Sequence, residues 1–148
     1  MRLLFNVLAV SGSAMYAGVM LAIGAILGGY WKSLPATDFV DSFSNHTRYI
    51  ARAILPVLIP ALVGLAGSLC LSWGDKGTFT LWLSAVACVA VVLVLTMTWF
   101  GPTNAQFTTR SLSMDQVPAK LEAWLMFHTA RISLTAVASI LGVIAIRR

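Results

Sequence analysis

A histidine and an arginine interrupt the last apolar run of this 148-residue chain. In the segment Glu122-Ala-Trp-Leu-Met-Phe-His-Thr-Ala-Arg131, Trp124, His128 and Arg131 stand at i, i+4 and i+7. On a helix these three fall within about 60° of one another. The same face continues through Thr135, Ala138, Ser139 and Gly142, all small or weakly polar. The opposite face carries Met126, Leu134, Val137, Leu141 and Ile144, which suit lipid. Imidazole titrates near neutral pH, and a guanidinium is a permanent cation. Together they offer a general base and an electrostatic partner for a developing oxyanion. Trp124 adds an aromatic wall.

Depth sharpens the point. If Trp124 marks the interface, Arg131 lies about 10 Å below it at a rise of 1.5 Å per residue. Arginine at a bilayer centre costs at least about 2.5–3.5 kcal/mol on insertion scales. A bland reading stands beside the functional one: Arg131 snorkels upward and His128 hydrogen-bonds a neighbouring carbonyl. The shared inward phase with Trp124 favours a site, because ionisable groups inside a membrane mark sites by default.

A second cluster follows the third apolar run: Trp99-Phe100-Gly101-Pro102-Thr103-Asn104. Gly-Pro predicts a helix break there. Asn104 then either caps a following turn or aims its amide at a ligand. His46 and Tyr49 share one face if the second helix begins ahead of them. The expected catalytic set is therefore His128, Arg131 and Asn104, with Trp124, Trp99, Tyr49 and His46 around the substrate. No cofactor is required by this set. A haem or metal ion held by His46 and His128 is the alternative, although no ligand-rich spacing supplies a third ligand. Cys70 and Cys88 sit in separate apolar runs, in no paired motif, and read as packing residues.

The Pro102-Thr-Asn104 element and the Trp124-x3-His128-x2-Arg131 element, in this order, resemble the anthrone-oxygenase-like family of small four-helix membrane proteins. The resemblance covers nearly the whole chain in length and helix count. It implies oxidation of a flat aromatic such as an anthrone to an anthraquinone by dioxygen, without an established cofactor. Family likeness does not by itself fix a reaction.

These residues need elements to hold them, and composition says which. Of the chain, 59% is hydrophobic and 10% charged, and the mean hydropathy is +0.87. A soluble domain carries roughly a quarter charged residues. That excludes an ordinary soluble domain, a disordered chain and a disulfide scaffold. The net charge of +5 comes from scattered basic residues, with no stripe for a nucleic-acid backbone. They suit lipid headgroups instead. The runs do not alternate with period two, which excludes a barrel. A transmembrane helix needs about 20 apolar residues. Four such runs predict one all-α domain over 1–148, an up-down four-helix bundle with helices near 3–31, 53–73, 79–100 and 123–146.

The first run is longer than a signal-peptide core and reads as an uncleaved helix. The segments Lys32 to Arg52 and Gly101 to Glu122 read as two long connections emerging on one side. Gly74 to Thr78 forms the tight turn on the other. Basic residues flank both sides almost equally, so the expectation of cytoplasmic termini rests on Arg2 and Arg147-Arg148. Ala14, Gly18 and Ala22 form one small-residue face, and Gly24 and Gly28 another. Such faces admit close packing, within the monomer or across a homo-oligomer seam. Pro56 and Pro60 predict a bend in the second helix. The expected protein is multi-pass, in a bacterial cell membrane. It acts on a small apolar aromatic, anthrone-like or quinol-like, by base-assisted reaction with dioxygen. A non-enzymatic carrier or assembly subunit is the remaining alternative.

Overall fold

The computed structural model describes residues 1–148 and contains four long helices. They are α1 (Arg2–Lys32), α2 (Ala36–Leu71), α3 (Lys76–Thr108) and α4 (Val117–Ile146), each long and apolar enough to cross a membrane. The chain is thus an all-α bundle of membrane-spanning length, consistent with a lipid-embedded, multi-pass protein.

The expected long connections are largely helix. α2 begins at Ala36 and takes in His46 and Tyr49, leaving only Ser33 to Pro35 as a link. α3 runs on to Thr108, so the second link is Thr109 to Gln116. At 1.5 Å per residue the 36 residues of α2 measure about 54 Å, well beyond a hydrocarbon core of about 30 Å. The excess forms a helical head beyond the apolar, membrane-length stretch. An aromatic cluster fills it: Trp31, Phe39, Phe43, Phe107 and Trp124 meet edge to face with centroids 5.0–6.2 Å apart. Exposed pairs Arg110–Asp41 and Lys32–Glu122 tie its rim. Such pairs contribute little individually.

Gly101-Pro102 does not break α3. A π-helical turn at Thr96–Phe100 precedes it, in which the Gly101 N–H reaches back to the Thr96 carbonyl. The wider turn makes room ahead of the proline ring, which would otherwise crowd the carbonyl one turn back. Pro56 and Pro60 likewise lie inside an unbroken α2. α1 has its own π-turn at Ile23–Leu27. The ends are capped by local chemistry. The Asp75 side chain accepts from the Gly77 and Thr78 N–H groups at the start of α3. α3 ends in a Schellman turn: Ser111 N–H bonds the Gln106 carbonyl at 3.2 Å, with Arg110 left-handed at φ 53°.

α1 packs along α2 and α4, and α3 along α4, while α2 and α3 share fewer contacts, among them those of Phe39 and Phe43 with Phe107 in the head. The close α1–α2 crossing runs through Gly12 and Gly64. A Cβ on Gly64 would lie 2.1 Å from the Ala9 nitrogen, and one on Gly12 2.6 Å from the Ala61 nitrogen. The Ala14, Gly18 and Ala22 face points outward, with open space around Gly18. It does not mediate packing inside the monomer, one of the two uses expected of it. Gly24 and Gly28 do: added Cβ atoms would meet His128 and Leu125 of α4. Two apolar cores result, a large one toward the head and an alanine-rich one around Trp82 near the tight turn.

Candidate functional site

His128 and Arg131 lie where the upper core gives way to the lower, both buried. The helical phase read from the sequence holds along α4: Trp124, His128, Arg131, Thr135, Ala138 and Gly142 are all buried, and Met126, Val137 and Ile144 are exposed. Leu134 and Leu141, assigned to lipid, are instead partly buried against the cores.

Glycine sets the depth of the histidine. Because Gly24 and Gly28 lack side chains, α4 approaches α1 closely, and the His128 Nε2–H donates to the Met20 carbonyl at 2.7 Å. A carbonyl only accepts, so Nε2 carries the proton in the neutral ring and the lone pair resides on Nδ1. That Nδ1 is buried and has no hydrogen-bond partner. The Trp124 ring stacks on the imidazole, with centroids 4.7 Å apart and planes 12° from parallel. Trp124 Nε1–H in turn donates to Asn104 Oδ1 at 2.9 Å. This leaves the Asn104 amide hydrogens free to donate elsewhere. Trp124 therefore both stacks on the imidazole and orients the amide.

Arg131 does not snorkel. Its guanidinium lies over the Phe100 ring, 4.0 Å from the centroid, and its Nη2 reaches the Met20 sulfur at 3.3 Å. Tyr16 lies beside it. Its Nε is buried without a partner, and neither ion pair of the protein involves it. All five carboxylates are elsewhere: two in the exposed head pairs, one capping α3, and two exposed at Asp38 and Asp115. A buried cation without a carboxylate is costly, and its lost hydration is offset here only by the Phe100 face, the Met20 sulfur and the Tyr16 hydroxyl.

Asn104, Trp124, His128 and Arg131 line one cavity of about 150 Å³. The other walls are Met20 and Ile23 of α1, the Thr47–Ile54 stretch of α2, and Thr96 and Phe100 of α3. The cavity therefore abuts both π-turns, a distortion that recurs at functional sites. Its mouth lies between α2 and α3, where Ala51 is exposed.

The remaining expected residues lie outside it. His46 is exposed on α2, and its Nδ1 pairs with the Ser42 carbonyl at 2.6 Å. Tyr49 is exposed against Arg48. Both sit on the outward face of α2, because the helix places Thr47, Ile50 and Ala51 toward the cavity instead. Trp99 packs on Phe100 and Phe127, with Lys120 over its ring, one face away from the cavity. His46 thus does not line the cavity that His128 borders. No three His, Cys, Asp or Glu side chains converge anywhere, and His128, the one imidazole lining the cavity, keeps an unpartnered Nδ1 lone pair buried in its wall. The partners Met20, Tyr16 and Thr96 were not legible: a backbone carbonyl and a π-turn leave no side-chain signature.

Comparison with protein-family models, with curated proteins and with solved structures finds no match to this chain.

Proposed function

We propose that this protein is a membrane-embedded oxygenase-like enzyme that oxidises a small aromatic carbon acid or quinol with dioxygen. The observation that carries the reading is one cavity bordered by a buried imidazole with a free Nδ1 and a buried guanidinium with no carboxylate. The first is a base with its tautomer fixed by Met20, and the second awaits negative charge. The likeness of the Pro102-Thr-Asn104 and Trp124-x3-His128-x2-Arg131 elements to anthrone-oxygenase-like proteins supports the same chemistry.

In this reading His128 Nδ1 removes the acidic proton, and Arg131 and the Asn104 amide hold the oxyanion that forms. The anion is electron-rich enough to reduce dioxygen, which concentrates in the bilayer with the substrate. For a quinol, two electrons and two protons pass to dioxygen, giving quinone and hydrogen peroxide. For an anthrone, the methylene carbon gives up four electrons. One oxygen atom becomes its carbonyl and the other leaves as water with the two hydrogens. Size favours a single ring inside: an apolar cavity of about 150 Å³ accommodates benzene. A fused tricycle would have to extend through the mouth.

The test is oxygen consumption by the protein in lipid nanodiscs, with hydroquinone and with anthrone. His128→Gln keeps an N–H for the Met20 carbonyl and removes the basic nitrogen. Turnover should fall by about 100-fold or more, the usual worth of a general base. Undiminished turnover in folded His128→Gln protein would overturn the acid–base reading. Binding without turnover in the unaltered protein would make it a carrier.

A further inference from the structure

The cavity opens onto the side of the bundle where α2 and α3 separate. Below its mouth, toward the tight turn, α2 and α3 leave a groove of about 390 Å³. Leu62, Leu65 and Leu69 form one wall and Val86, Val89 and Leu93 the other, and every lining residue is apolar. On α3 the groove ends at Leu93 and the polar cavity begins at Thr96, less than one turn away. On α2 they stand further apart, Ile54 against Leu62, with Leu58 packed on the upper core between them, so the two voids follow one another along one α2–α3 seam. From Thr96 to Val86 the seam measures about 15 Å, the reach of an extended chain of roughly a dozen carbons.

We infer that the ligand of the polar cavity carries an apolar chain that lies in the α2–α3 seam, so that the substrate class is a single-ring phenol or quinol with an alkyl or isoprenoid tail. This rests on the site reading above. Three observations carry it. The polar cavity has room for one ring. Its mouth is formed by the same two helices that wall the groove. The groove offers no polar side chain to a second oxygen function, only hydrocarbon contact. In a bilayer such a groove adds little affinity, because lipid tails are as apolar as leucine. Its contribution is direction: with the tail along the seam, the ring is presented to His128 and Arg131 rather than left free in the membrane.

The experiment uses the full chain in nanodiscs. The probe is a hydroquinone bearing a chain of roughly a dozen carbons, a diazirine near its end, and unsubstituted hydroquinone is the competitor. Photolysis should place crosslinks on the α2 and α3 walls of the seam, and excess hydroquinone should remove them. Ala90→Trp, which fills the groove, should cut seam crosslinking by about tenfold while hydroquinone binding measured by calorimetry stays unchanged. Ala66→Phe fills it from the other wall and serves if the first variant does not fold. Crosslinks spread over outward positions such as Val137 and Ile140 would overturn the inference. So would seam crosslinks that hydroquinone cannot compete, meaning an ordinary bilayer chain, or crosslinks between two copies of the chain. If hydroquinone itself does not bind, the site reading fails and takes this inference with it. If hydroquinone binds and the tail is not localised, the tail assignment fails alone.

Discussion

Arg131 is the residue whose surroundings ask most for explanation. It is buried on an aromatic face and a thioether, with no carboxylate near it. If its purpose were stability, an apolar side chain of similar length would serve better, since replacing buried charge by hydrophobic volume is often neutral or stabilising. Arg131→Met should therefore raise or leave unchanged the thermal midpoint in detergent while abolishing ligand binding. A folded Arg131→Met protein that still binds hydroquinone would remove the guanidinium from the site. Arg131→Lys should also damage binding, because a point charge replaces the planar fork and its ring stacking. A second residue-scale effect belongs to Asp75. Its hydrogen bonds, first to the Thr78 hydroxyl and then to backbone N–H groups of Thr78 and Gly77, hold its carboxyl below the usual carboxylate range. A depressed folded-state value means the stabilisation is present above the ordinary range and fades as pH falls through the lowered one. Asp75→Ala should lower the melting midpoint at neutral pH. The gap to the unaltered protein should close as the buffer is taken below about pH 4. A gap that widens on acidification would contradict the cap.

At the scale of elements, glycines divide into those that set helix spacing and those that do not. Gly64 meets the backbone of α1, where nothing can yield. Gly64→Ala should destabilise by about 2 kcal/mol or more. Gly18 faces open space, and Gly18→Ala should be neutral or stabilise by about 0.5–1 kcal/mol through helix propensity. On α4, a Cβ at Gly142 would lie 2.8 Å from Val10 Cγ2, so Gly142→Leu should be severely harmful, whereas Val137→Ala on the lipid face should be mild. Thermal denaturation of the four variants in one detergent checks the division, and equal effects at Gly64 and Gly18 would refute the α1–α2 crossing. Gly24 is intermediate: its Cβ would press on the His128 ring edge at 3.0 Å. Gly24→Ala should lower turnover more than it lowers stability.

For the whole molecule, both interhelical links other than the tight turn lie at the helical head. In a background lacking Cys70 and Cys88, cysteines placed at Asn45 and Ser113 should react with an impermeant maleimide from the same side. One at Gly74 should react from the other. Labelling of Asn45 and Ser113 from opposite sides would overturn the topology. The same measurement assigns the orientation that the nearly balanced basic flanks leave open.

Four apolar runs of membrane length determined four spanning helices from sequence alone, because lipid leaves a backbone no other way to satisfy its own hydrogen bonds. Helical periodicity likewise determined the buried stripe through Trp124, His128 and Arg131, since side-chain direction repeats with the helix whatever packs against it. The polar head was misjudged for the complementary reason. Residues 32–52 and 101–122 are too polar to show a membrane signal, and their helicity comes from packing Phe39, Phe43 and Phe107 into the aromatic cluster. Tertiary structure alone decided which candidates share a cavity. His46 and Tyr49 fall outside it because α2 presents Thr47 and Ile50 inward, and helix rotation about its axis is set by neighbours. It also decided that the Met20 carbonyl fixes the His128 tautomer, and that α2 and α3 part to open the seam. Those are contacts between residues far apart in the chain, and no local pattern of residue types encodes a backbone oxygen or a gap between helices.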